Sequence, residues 1–230
     1  MALRPSGHGR LARRFLVVLL VVLALLTPAA ARAAHRTAYP HVGEDDRFSD
    51  TDPYLGRTSH RQPIFMVGDS ITQRSMPALR RQGIRWEISA VPGRDVCNLP
   101  YYVHDRRRAA PFLNTLVIAL GTNGTPGWTY DDLLAVVRSV AVNTKVVLMT
   151  TWRDPRRNPE TSSYRNRAST QTRYSSWMRR ITTVRPRTCL ADWRSYVMAH
   201  PRAAPDGVHP YYGSRRAWAA IIMRAVSRCR

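Results

Sequence analysis

Lysine is nearly missing from this 230-residue chain: Lys145 is the only one, and arginine makes up the rest of the 36 basic residues. Acidic residues are few, 15 in all, so the formal net charge is +21. Cysteine is scarce as well, with three in total and no Cys-x-x-Cys pair, and the seven histidines are dispersed with no His-Glu-x-x-His among them. The common zinc-binding spacings are therefore missing, and no metal ligands are expected. No glycine-rich phosphate cradle is present either, so no cofactor is expected. The longest apolar run, residues 15–26, is too short to span a bilayer comfortably.

A strongly basic chain is suited to nucleic acid, an anionic glycan or a phospholipid surface. The arginines, however, are spread through predicted helices, loops and termini and form no single stripe. A high-GC coding bias explains them without function, and an anion-facing surface is the alternative.

What is present begins with a targeting pattern. Arg4, Arg10, Arg13 and Arg14 precede the apolar run, and Thr27, Pro28 and a series of alanines follow it. Ala31 and Ala33 supply the small residues that a signal peptidase needs, so residues 1–33 are expected to be a signal peptide cleaved after Ala33, with an uncleaved signal anchor as the rival. Removal would leave a net charge of +16, because the segment carries five arginines and no acid. The expected location is extracytoplasmic, either secreted or tethered to the outer face of the cytoplasmic membrane. Export argues against a nucleic-acid partner and leaves membrane contact to the anchor or the basic surface.

Residues 34–62 contain Pro40, Gly43 and the acids Glu44, Asp45, Asp46, Asp50 and Asp52, and they read as a polar linker. Residues 63–230 are expected to form one domain. There, apolar runs at 64–67, 86–91, 116–120, 146–151 and 189–193 alternate with helical patterns, the clearest being the amphipathic stretch around Leu133, Leu134, Val136 and Val137, with Thr129 as its N-cap. Repeated strand and helix units predict a five-stranded parallel sheet in a three-layer α/β/α sandwich, since parallel neighbours need long crossovers. In such a sheet the chemistry lies at the carboxyl ends of the strands.

Chemically loaded residues do follow those runs. Gly68, Asp69, Ser70 and Ile71 come directly after the first, placing a serine hydroxyl at the sheet edge and its N–H at a helix start. Val91, Pro92, Gly93 and Arg94 follow the second and offer the Gly93 N–H. Gly121, Thr122, Asn123 and Gly124 follow the third, where a rigid asparagine amide is an acceptable oxyanion donor. Near the end, Asp206, Gly207, Val208, His209 and Pro210 place a carboxylate three residues before an imidazole, an arrangement that leaves one ring nitrogen free as a base. Each segment alone reads equally well as a turn or a cap. Together, in the chain order Ser, Asp, His, they point to nucleophilic catalysis.

These four segments resemble the four blocks of the SGNH (GDSL-type) hydrolases, and the resemblance covers residues 64 to about 225. It implies Ser70 as nucleophile, His209 as general base and Asp206 as its orienting partner. It also implies an oxyanion hole from the Ser70 and Gly93 N–H groups and the Asn123 amide. Two positions depart from the family pattern: Ile71 replaces leucine, and Gly124 stands where many members have aspartate. The stretch from Ala119 to Gly124 is similar to SGNH domains associated with membrane acyltransferases that modify bacterial envelope glycans. That similarity implies an exported serine esterase or O-acyltransferase acting on short acyl esters of an envelope glycan, with a membrane acyltransferase as partner. Trp128, Trp152 and the loop at 153–167 would then form a sugar-binding wall. The rival readings are a non-catalytic basic module binding envelope glycan or lipid, and a lipid esterase.

Topology also bears on the cysteines. Cys189 opens the fifth strand at the end remote from the active edge, and Cys229 closes the helix that runs back from that edge. Cys97 follows the second strand, toward the opposite side of the sheet. A Cys189–Cys229 disulfide with Cys97 free is therefore expected.

Overall fold

The computed structural model describes residues 64–83, 86–100, 102–103, 114–125, 127–157 and 168–230. The expected signal segment, the linker and residues 158–167 of the arginine-rich loop lie outside the described residues.

Five strands, β1 (Ile64–Gly68), β2 (Trp86–Ala90), β3 (Thr115–Ala119), β4 (Lys145–Met149) and β5 (Thr188–Ala191), build one sheet. All neighbours pair in parallel, in the order β2-β1-β3-β4-β5. The helices are α1 (Ser70–Arg80), α2 (Tyr130–Ser139), α3 (Ala168–Val184), α4 (Trp193–Ala199) and α5 (Arg215–Arg228). Strands such as IFMVG and TLVIA are buried along their whole length, and they show no polar alternation because both faces of the sheet are covered.

Alternate residues of each strand feed opposite cores. Ile64, Met66, Val117, Val147 and Met149 pack with side chains of α1 and α5. Phe65, Val67, Leu116, Ile118, Val146 and Leu148 pack with α2 and α3 on the other face. The result is the three-layer α/β/α sandwich read from the sequence. Thr129 caps α2 in a reciprocal box, with its backbone N–H donating to the Asp132 carboxylate at 2.8 Å while its side chain accepts from the Asp132 N–H.

The fifth strand departs from expectation. It stops at Ala191, short of Trp193, because Asp192 caps α4 by accepting from the Ser195 N–H. Trp193 thus becomes the first residue of that helix and fills the first core at 1% exposure. The runs expected to reach residues 91, 120 and 151 likewise end as strands at Ala90, Ala119 and Met149.

Strand order positions the site. The chain leaves β1 toward β2 on one side and then returns to place β3 on the other. The loops after β1 and β3 therefore diverge from adjacent strand ends, opening the crevice in which open α/β sheets hold ligands.

Candidate active site

The loop after β1 has little freedom. A Cβ at Gly68 would run into the Thr72 side chain, so only glycine lets α1 start this close to the strand. Asp69 is fully buried and caps α1, its Oδ1 accepting from the Ile71 N–H at 2.9 Å. Burial pushes its carboxyl up from 3.8 to about 7, against the N–H and Thr122 hydrogen bonds that favour the anion. Ser70 is then the first residue of α1 and is half-buried. Its N–H is among those a helix leaves without an intrahelical acceptor.

His209 faces it. Ser70 Oγ lies 3.0 Å from His209 Nε2, although the two are 139 positions apart in the chain. His209 Nδ1 lies 2.8 Å from Asp206 Oδ2. The other carboxylate oxygen, Oδ1, accepts from the N–H groups of Val208 at 2.9 Å and His209 at 2.7 Å. Burial alone would raise the Asp206 carboxyl, but these two N–H groups and the imidazole outweigh it and hold the group below its ordinary value. Asp206 thus stays ionised and fixes the ring by its Nδ1 side, leaving Nε2 toward the serine.

The Gly93 and Asn123 loops meet through Arg94. This side chain is 2% exposed and stacks 3.9 Å over the Tyr102 ring. Its Nη1 donates to Gly68 O at 3.2 Å, Ser89 O at 2.8 Å and Ser89 Oγ at 3.1 Å, joining the ends of β1 and β2. Arg94 O in turn accepts from Asn123 Nδ2 at 3.0 Å. One amide hydrogen is thereby spent on orientation, and the second remains for a ligand. Gly93 has φ +78, and no atom lies within 4 Å of where its Cβ would be. Glycine is needed there for the backbone conformation and not for packing.

The Asn123 turn is braced from behind. Gly124 N–H closes on Gly121 O at 3.1 Å, and the buried Gln171 amide donates to Thr122 O. Gly124 has φ +107, a conformation that disfavours aspartate or any other side chain, which gives its departure from the family pattern a local cause.

No protein-family model and no curated protein matches the sequence. Likeness emerges in three dimensions. The C-terminal catalytic domain of peptidoglycan O-acetyltransferase A (OatA) from Streptococcus pneumoniae, solved with a methylsulfonyl adduct, superposes with a TM-score of 0.62 at 21% identity, covering 73% of this chain and 94% of that one. A GDSL-like lipase from Bacteroides thetaiotaomicron gives 0.53 at 16% identity, over 86% of this chain and 97% of that one. The esterase EstA from a Pseudoalteromonas species gives 0.52 at 14% identity, over 73% and 97%. The fold is that of the SGNH (GDSL-type) hydrolases.

Within this SGNH fold both candidate wall residues are partly covered. Trp128 is half-buried against the α2–α3 core, and Trp152 is half-buried against the α1–α5 core with the Arg194 guanidinium 5.1 Å over its ring. The loop carrying Trp152 also supports the histidine loop: Asp154 N–H donates to Gly207 O at 2.8 Å. Arg153, beside it, is 8% exposed. Its removal from water lowers the guanidinium pKa, and the Asp206 carboxylate opposes that shift.

A disulfide joins Cys189 to Cys229, and Cys97 takes no part in it. A concavity of about 560 Å³ opens beside that disulfide, lined by Thr182, Asp192, Tyr196 and Arg224 among others. None of its lining residues belongs to the Ser70 site.

Sequence reasoning missed the structural parts of Asp69 and Arg94. Both stand beside candidate site residues, and a charged residue beside a turn reads as solvated. It missed Tyr211 and Tyr212 too, which follow His209 and are exposed.

Proposed function

We propose that the protein is an exported serine esterase or O-acyltransferase that forms an acyl ester on Ser70. The observation that carries this reading is the unbroken hydrogen-bonded chain from Ser70 Oγ through His209 to Asp206.

In the proposed reaction Ser70 Oγ attacks the acyl carbonyl carbon while His209 Nε2 accepts the hydroxyl proton. The carbonyl electron pair moves to oxygen. The resulting oxyanion is held by the Ser70 and Gly93 N–H groups and the second Asn123 amide hydrogen. Collapse breaks the ester C–O bond, His209 returns the proton to the leaving alkoxide, and the acyl group stays on Ser70. Water or a sugar hydroxyl then repeats the sequence in reverse, giving hydrolysis or transfer. Asp206 balances the imidazolium and keeps the tautomer correct throughout.

Three further features support a short acyl group on an envelope glycan. The neighbouring OatA domain is named as a peptidoglycan O-acetyltransferase. A disulfide persists in oxidising compartments, which fits a site outside the cytoplasm. The N-terminal pattern of residues 1–33 fits export. A membrane acyltransferase is the partner that would supply the acyl group, and Trp128 and Trp152 would offer their solvent-facing parts to the sugar.

Treatment with a methylsulfonyl fluoride tests the nucleophile without knowledge of the substrate. The expected result is one sulfonyl adduct on the peptide containing Ser70, lost in His209→Ala. An adduct elsewhere, or none, would overturn the assignment.

A further inference from the structure

The segment that follows His209 has a composition of its own. Among the described residues, the large apolar side chains left exposed are Val142, Val184, Met198, Tyr211 and Tyr212. The two aromatic ones are consecutive and start two residues after His209, with Tyr211 53% and Tyr212 71% exposed. The Tyr211 backbone is firmly held. Tyr211 N–H donates to Ala203 O at 3.0 Å, and Tyr211 O accepts from the N–H groups of Ser214 and Arg215 at 2.9 and 3.2 Å. The Tyr211 phenol lies so close over Gly213 that a Cβ there would strike it. A ring held in this way and left open to water serves as a stacking surface that loses little entropy when covered.

Arginines border the rings. The Arg215 guanidinium lies 5.6 Å over the Tyr212 ring, and Arg216 is exposed beside it. Arg202 is exposed one residue before Ala203, the residue that anchors Tyr211. Arg157 donates to Pro201 O at 3.0 Å. The acids close by are already engaged, Asp154 with Arg157 at 3.6 Å and Asp206 with His209. No described acid forms an ion pair with Arg202, Arg215 or Arg216. Arg215 and Arg216 also stand in the first turn of α5, where positive charge opposes the helix dipole, so they do not serve the helix.

We infer that Tyr211, Tyr212, Arg202, Arg215 and Arg216 form a docking rim for a polyanionic glycan, a uronate-containing polysaccharide that presents its O-acyl group to Ser70. Pyranose C–H faces would stack on the tyrosine rings while sugar carboxylates meet the guanidinium groups, whose forked donors match a carboxylate. The acyl-bearing character of the ligand rests on the reading of Ser70 as nucleophile, but docking itself is measurable without catalysis.

The test uses the full chain carrying Ser70→Ala and follows fluorescence anisotropy of a labelled oligogalacturonate, with a neutral xylo-oligosaccharide of the same length as control. The uronate should bind more tightly than the neutral sugar, and its Kd should rise at least about fivefold between about 50 and about 300 mM sodium chloride. Tyr211→Ala with Tyr212→Ala, and separately Arg202→Gln with Arg215→Gln and Arg216→Gln, should each weaken it about tenfold or more. Removing charge at the far end of α5 and on α2, by Arg138→Gln, Arg224→Gln and Arg228→Gln, should change it less than about twofold because of screening. Tyr212→Ala with Arg216→Gln gives a milder pair of exposed changes if the larger sets fail to fold. Absence of uronate binding, equal binding of the neutral sugar, or equal loss from the distant arginines would overturn the inference. None of these results bears on the sulfonyl labelling of Ser70, so the two readings fail separately.

Discussion

Asp69 should make the protein less stable as pH rises from about 4 to about 7, and Asp69→Asn should abolish that decline. The carboxyl is fully buried, its Oδ1 caps α1 through the Ile71 N–H, and its Oδ2 has no hydrogen-bond partner of good geometry. Burial lifts its pKa from 3.8 to about 7. The folded state therefore keeps a proton that the unfolded chain releases across this window. The stabilisation is fully present below the unfolded value and is lost by the time pH passes the folded one. At about 1.4 kcal/mol per pKa step, the decline amounts to roughly 4 kcal/mol. Asparagine retains an oxygen for the Ile71 N–H and never ionises. The carboxyls of Asp192 and Asp206 are shifted down, so their effects lie at lower pH and cancel between the two proteins. Urea denaturation of both between about pH 4 and about pH 8 is the assay, read as the difference in unfolding free energy. Parallel pH profiles would mean that Asp69 ionises in the folded protein as it does in the unfolded chain.

Other outcomes follow from the same geometry. Asp206→Asn should cut kcat on a short aryl ester by about 10³ to 10⁴ while leaving KM within a few-fold, since the imidazole loses its anion and its tautomer control; steady-state kinetics would show otherwise if both parameters stayed put. Cys189→Ala with Cys229→Ala opens a loop of 40 residues, for which chain entropy predicts a loss of about 4 kcal/mol, measured by calorimetry or denaturant titration. Arg94→Met should lower stability by about 1–3 kcal/mol by taking away the donor shared by Gly68 O and Ser89. It should also lower kcat, because Arg94 O no longer sits where the Asn123 amide needs it, and an unchanged kcat would free Asn123 of that dependence.

The sandwich was legible because its strands are continuous apolar runs, and only a sheet covered on both faces calls for such runs. The ends of the strands were less clear. Asp192 and Trp193 read as the tail of an apolar strand, and it took the capping contact to Ser195 to show that the helix begins there. The candidate site residues stood out because Ser70, Asn123 and His209 each sit close to turn glycines at strand ends or before the last helix. The supports around them did not. A buried Arg94 and a buried Asp69 carry the same letters as solvated ones, and what they bond to is decided by segments distant in sequence. Exposure is equally invisible, so Trp128 and Trp152 drew notice while Tyr211 and Tyr212 passed as ordinary aromatics.

The central claim is that Ser70, activated by His209, carries the acyl group. The most direct measurement is the rate of hydrolysis of a short-chain aryl ester by the protein beside its Ser70→Ala variant. A fall of about 10³-fold or more is expected, with the fold intact by circular dichroism. Equal rates in the two proteins would contradict it.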